Sequence, residues 1–140
     1  MFETNQPTRL VLYADDDYED LNFVRESFLE HAADIRLVTF SDATSLLDYI
    51  QKRKNSPAPC LIILDINMPR VDGKTALRIL RTINGYEHIP VVLFTTSISP
   101  HDAKFAEAFN AGFISKPLTA WQMDTITNVF LNHCNESLKK

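Results

Sequence analysis

Residues 60–65 read Cys60-Leu61-Ile62-Ile63-Leu64-Asp65, five apolar residues followed at once by an acid. A short, unbroken apolar run reads as a strand buried on both faces, the pattern of a parallel sheet covered by helices. An acid directly after such a strand sits at its carboxyl end. In open α/β sheets that end carries the ligand site.

Outward from this strand the chain alternates strand-like and helix-like segments five times. The first strand is Arg9 to Ala14, followed by a helix from about Tyr18 to His31 with Leu21, Val24, Phe28 and Ala32 on one face. Their spacing of three or four is the helical period. The second strand is Ile35 to Phe40. Ser41 is placed to cap a second helix, Asp42 to Arg53, with Leu46, Leu47 and Ile50 inward. The third strand is Cys60 to Leu64. Asp72 is placed to cap the third helix, which carries Ala76, Leu77, Ile79, Leu80 and Ile83. A fourth strand, Val91 to Phe94, precedes Ser99-Pro100-His101-Asp102, a helix start with serine at the cap and proline at the first turn. That fourth helix runs to about Phe109. The fifth strand is Gly112 to Ser115. Thr119 to Gln122 then has the capping-box pattern and opens a last helix with Met123, Ile126, Phe130 and Cys134 inward. Asn110 is placed to take the left-handed conformation after the fourth helix.

Five strand-helix repeats require crossovers between parallel strands. The expected architecture is α/β: a doubly wound five-stranded parallel sheet flanked by five helices, in flavodoxin-like order 2-1-3-4-5. The length of 140 residues suits one domain spanning 1–140, with its core at about 9–135. A net charge of −4 and a pI near 5.5 argue against non-specific nucleic-acid binding, which needs a basic face. Met1 to Thr8 is polar with no signal-peptide core, and no apolar run is long enough to span a membrane. A cytoplasmic location is expected. Cys60 and Cys134 form no metal-binding pattern and read as unpaired core residues, a disulfide being disfavoured in a reducing compartment.

The strand ends share one rim. Asp15, Asp16 and Asp17 follow the first strand, Asp65 the third, Thr95, Thr96 and Ser97 the fourth, and Lys116 and Pro117 the fifth. Carboxylates gathered this way repel: two like charges ~4 Å apart cost about 4 kcal/mol at an effective dielectric of 20. A cation or a lysine is needed to keep them ionised. All-oxygen ligands suit Mg²⁺. Asp16 and Asp65 are read as direct ligands, Asp15 as one acting through water, and the Asn67 backbone carbonyl as a further donor. With a cation beside it, the Asp65 carboxylate is a candidate nucleophile for a phosphoryl group. Lys116 and the Thr95 hydroxyl are candidates to bind phosphate oxygens.

With these residues in view, the chain resembles the receiver domains of two-component response regulators. The resemblance rests on Val11 to Asp17, Leu64 to Gly73 (LDINMPRVDG), Pro90 to Thr95 and Phe113 to Pro117 (FISKP). It implies that Asp65 is the phosphoacceptor and that Asp15 and Asp16 are the acidic pair for Mg²⁺. It implies Thr95 as the switch hydroxyl, Phe113 as the switch aromatic and Lys116 as the phosphate-pairing lysine. Thr96 stands where a small residue is usual, beside the phosphoryl group. Asn67 and Ser97 occupy positions that tune its turnover. His31, His88, His101 and His133 match no family site. The implied donor is a histidine kinase or a phosphotransfer protein, and the implied output is binding to a downstream protein the sequence does not name. A homodimer through the fourth helix, fifth strand and fifth helix is open to such a chain. Two other readings compete: an unphosphorylated pseudo-receiver scaffold, and an aspartate-nucleophile phosphatase. The second lacks an aspartate at position 67, two residues past Asp65.

Overall fold

The computed structural model describes residues 9–117 and 119–138. The polar segment Met1 to Thr8 and the last two residues of the tail lie outside the described residues. The elements run β1 (Arg9–Ala14), α1 (Tyr18–His31), β2 (Ile35–Phe40), α2 (Ala43–Lys52), β3 (Leu61–Leu64), α3 (Gly73–Leu80), β4 (Val91–Thr95), α4 (Pro100–Ala108), β5 (Gly112–Ser115) and α5 (Ala120–Leu138). All strand pairs are parallel, and the sheet order is β2-β1-β3-β4-β5.

β3 shows why the sheet is buried on both sides. Leu61 to Leu64 are wholly inaccessible, and their side chains alternate between two cores. Ile62 and Leu64 join Leu46 and Ile50 of α2, Ala76, Leu77 and Leu80 of α3, and Ala106 of α4. Leu61 and Ile63 join Leu21, Val24 and Phe28 of α1 with Met123, Phe130 and Cys134 of α5. Each such side chain contributes about 1.5–3 kcal/mol by leaving water. With apolar cover on both faces, what remains for chemistry is the carboxyl rim.

Several boundaries differ from the sequence reading. Asp42, not Ser41, caps α2: its carboxylate accepts the Ser45 N–H at 2.7 Å. A charged acceptor at a helix start binds more strongly than a hydroxyl. α3 stops at Leu80, and Ile83 packs from the following turn. β4 extends through Thr95, which places that hydroxyl on the sheet's last rung. α5 continues to Leu138, into the segment read as a tail. Other starts are as expected. Asp72 accepts the Thr75 N–H at 2.8 Å, Ser99 caps α4 with Pro100 behind it, and Thr119 accepts the Gln122 N–H at 3.3 Å. Asn110 has φ 56°, the left-handed value expected of it.

Gly73 opens α3 directly against the end of β3. A Cβ there would lie 2.1 Å from the Asp65 carbonyl oxygen. Only glycine lets the α3 backbone approach this closely, and its N–H donates to the Ile66 carbonyl at 2.8 Å. The glycine thus sets where the Asp65 loop lies.

The cysteines correct the sequence reading. Cys60 and Cys134 form a disulfide, with a Cα–Cα distance of 4.7 Å. The pairing arises because the last turns of α5 pack over the start of β3, which a separation of 74 residues conceals. Both residues are buried, so an attacking thiolate has poor access and exchange is slow. Closing a loop of this length removes about 4 kcal/mol of unfolded-state freedom. Reduction under denaturing conditions followed by refolding should lower the melting temperature by roughly ten degrees. The native protein should show no fast-reacting thiol. Two thiols titrating in the native state, or an unchanged melting temperature after reduction, would contradict the crosslink.

Candidate functional site

The strand alternation that fills the two cores also delivers the site. β1 ends at Ala14, so the next residue, Asp15, leaves the sheet at its rim, and it is wholly buried there. Its Oδ1 accepts the Asp17 N–H at 2.9 Å, and its Oδ2 accepts the Tyr13 hydroxyl at 2.6 Å. Asp65 leaves β3 beside it, tied by its N–H to the Ala14 carbonyl at 3.0 Å, and is 5% exposed. Asp16 is exposed. One oxygen from each of Asp15, Asp16 and Asp65 lies within 4.8 Å of the others.

Lys116 follows β5 and is held by its N–H to the Thr95 carbonyl at 2.9 Å. Its Nζ lies 2.8 Å from Asp15 Oδ2, 2.7 Å from Asp20 Oδ2 and 3.2 Å from Asp65 Oδ2. An ammonium has three protons, and here each has a carboxylate. The electrostatics follow. Burial, then the Asp15 charge, push the Asp65 carboxyl up to about 6, against the opposing pull of Lys116. Burial by itself would lower Lys116, but its bonds to Asp15 and Asp20 and the charges of Asp15 and Asp65 outweigh that and hold the amine above the usual lysine range. Burial and the Asp15 charge likewise drive the Tyr13 phenol well above its ordinary value, so it stays a donor.

The donor set fits a hard cation. Three carboxylates face one another with a single lysine to offset them, and no nitrogen or sulfur ligand is among them. Asn67 stands exposed on the loop two residues past Asp65.

The remaining expected residues sit around this cluster. Thr95 is wholly buried, and its Oγ1 accepts the Ser97 N–H at 3.2 Å. Thr96 is exposed. Ser97 turns toward α4: its hydroxyl donates to Asp102 Oδ2 at 2.5 Å, and Asp102 also pairs with Lys74 of α3. Phe113 is half-buried against the core shared by α2, α3 and α4. Asp15, Asp16, Asp65 and Lys116 therefore converge as read. Thr95 lies on the neighbouring strand end, while Ser97 is engaged with α4.

Two site residues escaped the sequence reading. Tyr13 alternates into the α1–α5 core like any strand residue, and only its length carries the hydroxyl to Asp15. Asp20 is the third residue of α1, where an acid ordinarily reads as helix capping. The Asp17 carboxylate already caps that helix, accepting the Glu19 and Asp20 N–H groups. The Asp20 carboxylate is left to reach Lys116.

Residues 11–128 match the family model of the response regulator receiver domain. The response regulator Rcp1 of Synechocystis sp. is 30% identical over 105 residues, 73% of this chain and 71% of that regulator. Among solved structures, the Mn²⁺-bound form of response regulator Rcp1 superposes with a TM-score of 0.75 at 25% identity, covering 84% of this chain and 91% of that one. The phosphorylated cyanobacterial phytochrome response regulator RcpA superposes with a TM-score of 0.78 over 88% of this chain and 94% of that one; at 24% identity this likeness speaks for the fold. The match begins inside β1 and ends inside α5, so it takes in every strand and the whole acidic rim: the chain belongs to the response regulator receiver domain family.

Proposed function

We propose that Asp65 accepts a phosphoryl group from a phosphohistidine on a kinase or phosphotransfer protein, with Mg²⁺ held by Asp15, Asp16, Asp65 and the Asn67 carbonyl. The observation that carries this is the position of Asp65. Its carboxylate belongs to the three-acid cluster and touches the Lys116 ammonium as well.

The chemistry is an in-line displacement. An Asp65 oxygen forms a bond to phosphorus as the phosphorus–nitrogen bond of the donor breaks. The electron pair leaves with the imidazole nitrogen, which takes a proton from solvent. Bound Mg²⁺ supplies positive charge that keeps the acids ionised and offsets charge on the phosphoryl oxygens. Lys116 donates a hydrogen bond to one phosphoryl oxygen, and its 9% side-chain exposure keeps that bond away from competing water. The Thr95 hydroxyl donates a hydrogen bond to another. The chain acts as a phosphoacceptor that signals by changing shape, not as a catalyst of turnover on a separate substrate.

The readout begins at Thr95. Its Oγ1 accepts from Ser97 N–H in the unmodified state, and a phosphoryl group draws the hydroxyl inward. Phe113, half-buried beside β4, then turns into the vacated space. This biases a two-state equilibrium of the face formed by α4, β5 and α5. That face binds the downstream protein, and it is the one through which two copies would pair. The setting is the cytoplasm, and among the described residues no helix is long and apolar enough to cross a membrane.

Acetyl phosphate with Mg²⁺ should label the wild-type protein on one site, and Asp65→Asn should abolish the label. Labelling that survives Asp65→Asn would move the acceptor elsewhere. Lys116→Ala should still be labelled but should lose most of the phosphorylation-dependent change in the β4–β5 amide resonances; an undiminished change would remove Lys116 from the switch. A pH dependence also follows. An unfolded aspartate titrates near ~4, and the folded Asp65 near 6, so the fold holds this proton more tightly. The resulting stability is full below about pH 4 and is lost as pH rises through 6. Without divalent cation, Asp65→Asn should raise the melting temperature by roughly 5 °C at pH 7.5 and leave it unchanged near pH 4. An equal gain at both pH values would show that ionisation is not the cause.

A further inference from the structure

We infer that Asp20 is a holding acid: it occupies a Lys116 proton in the unmodified protein and competes with the incoming phosphoryl group for it. The inference rests on Asp65 as the phosphoacceptor.

The three acceptors of Lys116 are not equivalent. Asp15 is wholly buried, and the oxygen that meets Lys116 is also held by the Tyr13 hydroxyl. Releasing it would strand a charge inside the protein. Asp65 is the group to be modified, and its pairing with Lys116 is the longest of the three, at 3.2 Å. Asp20 makes the shortest, at 2.7 Å, and its side chain is 30% exposed. Water can solvate this carboxylate when it lets go. Phosphorylation removes the Asp65 charge, so one phosphoryl oxygen takes over the proton Asp65 held; a second phosphoryl contact with Lys116 has to displace Asp15 or Asp20, because the ammonium has no fourth proton. Asp20 is the acceptor whose departure costs least.

Its charge acts in the same direction. Asp20 adds a fourth carboxylate to a site that must receive an anion, and it lies outside the three-acid cluster that would hold a cation. Removing it frees a Lys116 proton and removes repulsion against the donor's phosphate, while leaving the cation's ligands in place. Asp20 is therefore a positioning residue that sets how strongly Lys116 favours the phosphorylated form.

The test compares wild type, Asp20→Asn and Asp20→Glu at Mg²⁺ concentrations shown to saturate each. Two readouts are used: phosphorylation by acetyl phosphate, and affinity for beryllofluoride as a phosphoryl mimic. In the first, an Asp65 oxygen–phosphorus bond forms as the acetate oxygen–phosphorus bond breaks, and acetate leaves with the electron pair. Asp20→Asn should bind beryllofluoride about fivefold tighter and lower KM for acetyl phosphate by a similar factor, the effect of one charge at about 4 Å in a water-like dielectric. Asp20→Glu, which restores the charge, should return both values to near wild type. A role confined to folding would lower the melting temperature of Asp20→Asn without improving either constant, and that result overturns the inference. So would unchanged or weaker beryllofluoride binding, or an Asp20→Glu variant that behaves like Asp20→Asn. Wild type that takes up no label would remove the phosphoacceptor reading itself; labelled wild type with an unaltered Asp20→Asn would remove only the holding role.

Discussion

One ammonium among three carboxylates is the interaction on which the rest depends. Lys116 lies within 3.2 Å of Asp15, Asp20 and Asp65, at the rim of a sheet that is otherwise apolar on both faces. Without this charge, Asp15 and Asp65 would be two buried acids repelling each other. With it, one acid remains surplus: burial and the Asp15 charge still push Asp65 up to about 6. The cluster is short of positive charge, and that shortage gives it affinity for a cation. An anion placed at Asp65 would compete for the Lys116 contacts that Asp15, Asp20 and Asp65 now share.

The fold supplies this arrangement by making the strand ends converge. Leu61 to Leu64 are committed to burial on both sides, so Asp65 is the first residue of that strand able to carry a charge. Gly73 then fixes how closely α3 follows, because any Cβ would strike the Asp65 carbonyl. On the neighbouring strand Thr95 ends the last rung, and Ser97 beyond it is tied to Asp102 and through it to Lys74 on α3. These contacts link the end of β4 to the start of α4. On the opposite face α1 and α5 are joined by the buried Ser27–Thr127 hydrogen bond at 2.6 Å, and α5 is joined to β3 by the disulfide. The two faces of the sheet are thus tied differently, one by side-chain polar contacts near the rim and the other by a buried hydrogen bond and a disulfide.

What the sequence made legible was whatever depends on period and position. The alternation around β3 led to a doubly wound parallel sheet, the flavodoxin-like fold type supplied its order, and the strand ends led to Asp15, Asp16, Asp65 and Lys116. Caps such as Asp72 and Ser99 were readable because their chemistry is local. What escaped depends on reach and on packing between distant segments. Tyr13 has the pattern of a core residue, and its hydroxyl reveals itself only once β1 is set beside Asp15. Asp20 sits where an acid commonly serves its own helix, yet it serves Lys116, 96 positions away. Cys60 and Cys134 pair because α5 lies over β3, a fact of packing that neither cysteine's neighbours encode. The cap of α2 was read one residue early, at Ser41, where the structure uses the Asp42 carboxylate.

If side chains from separate loops form one pocket for a cation and a phosphoryl group, the cation alone must already find it. The most direct measurement is a Mg²⁺ titration of the unmodified protein followed by backbone amide resonances. The account predicts saturable shifts centred on residues 15–17, 65–67 and 116, with little change on the α1–α5 side of the sheet. Shifts centred elsewhere, or no saturable binding at all, would contradict it.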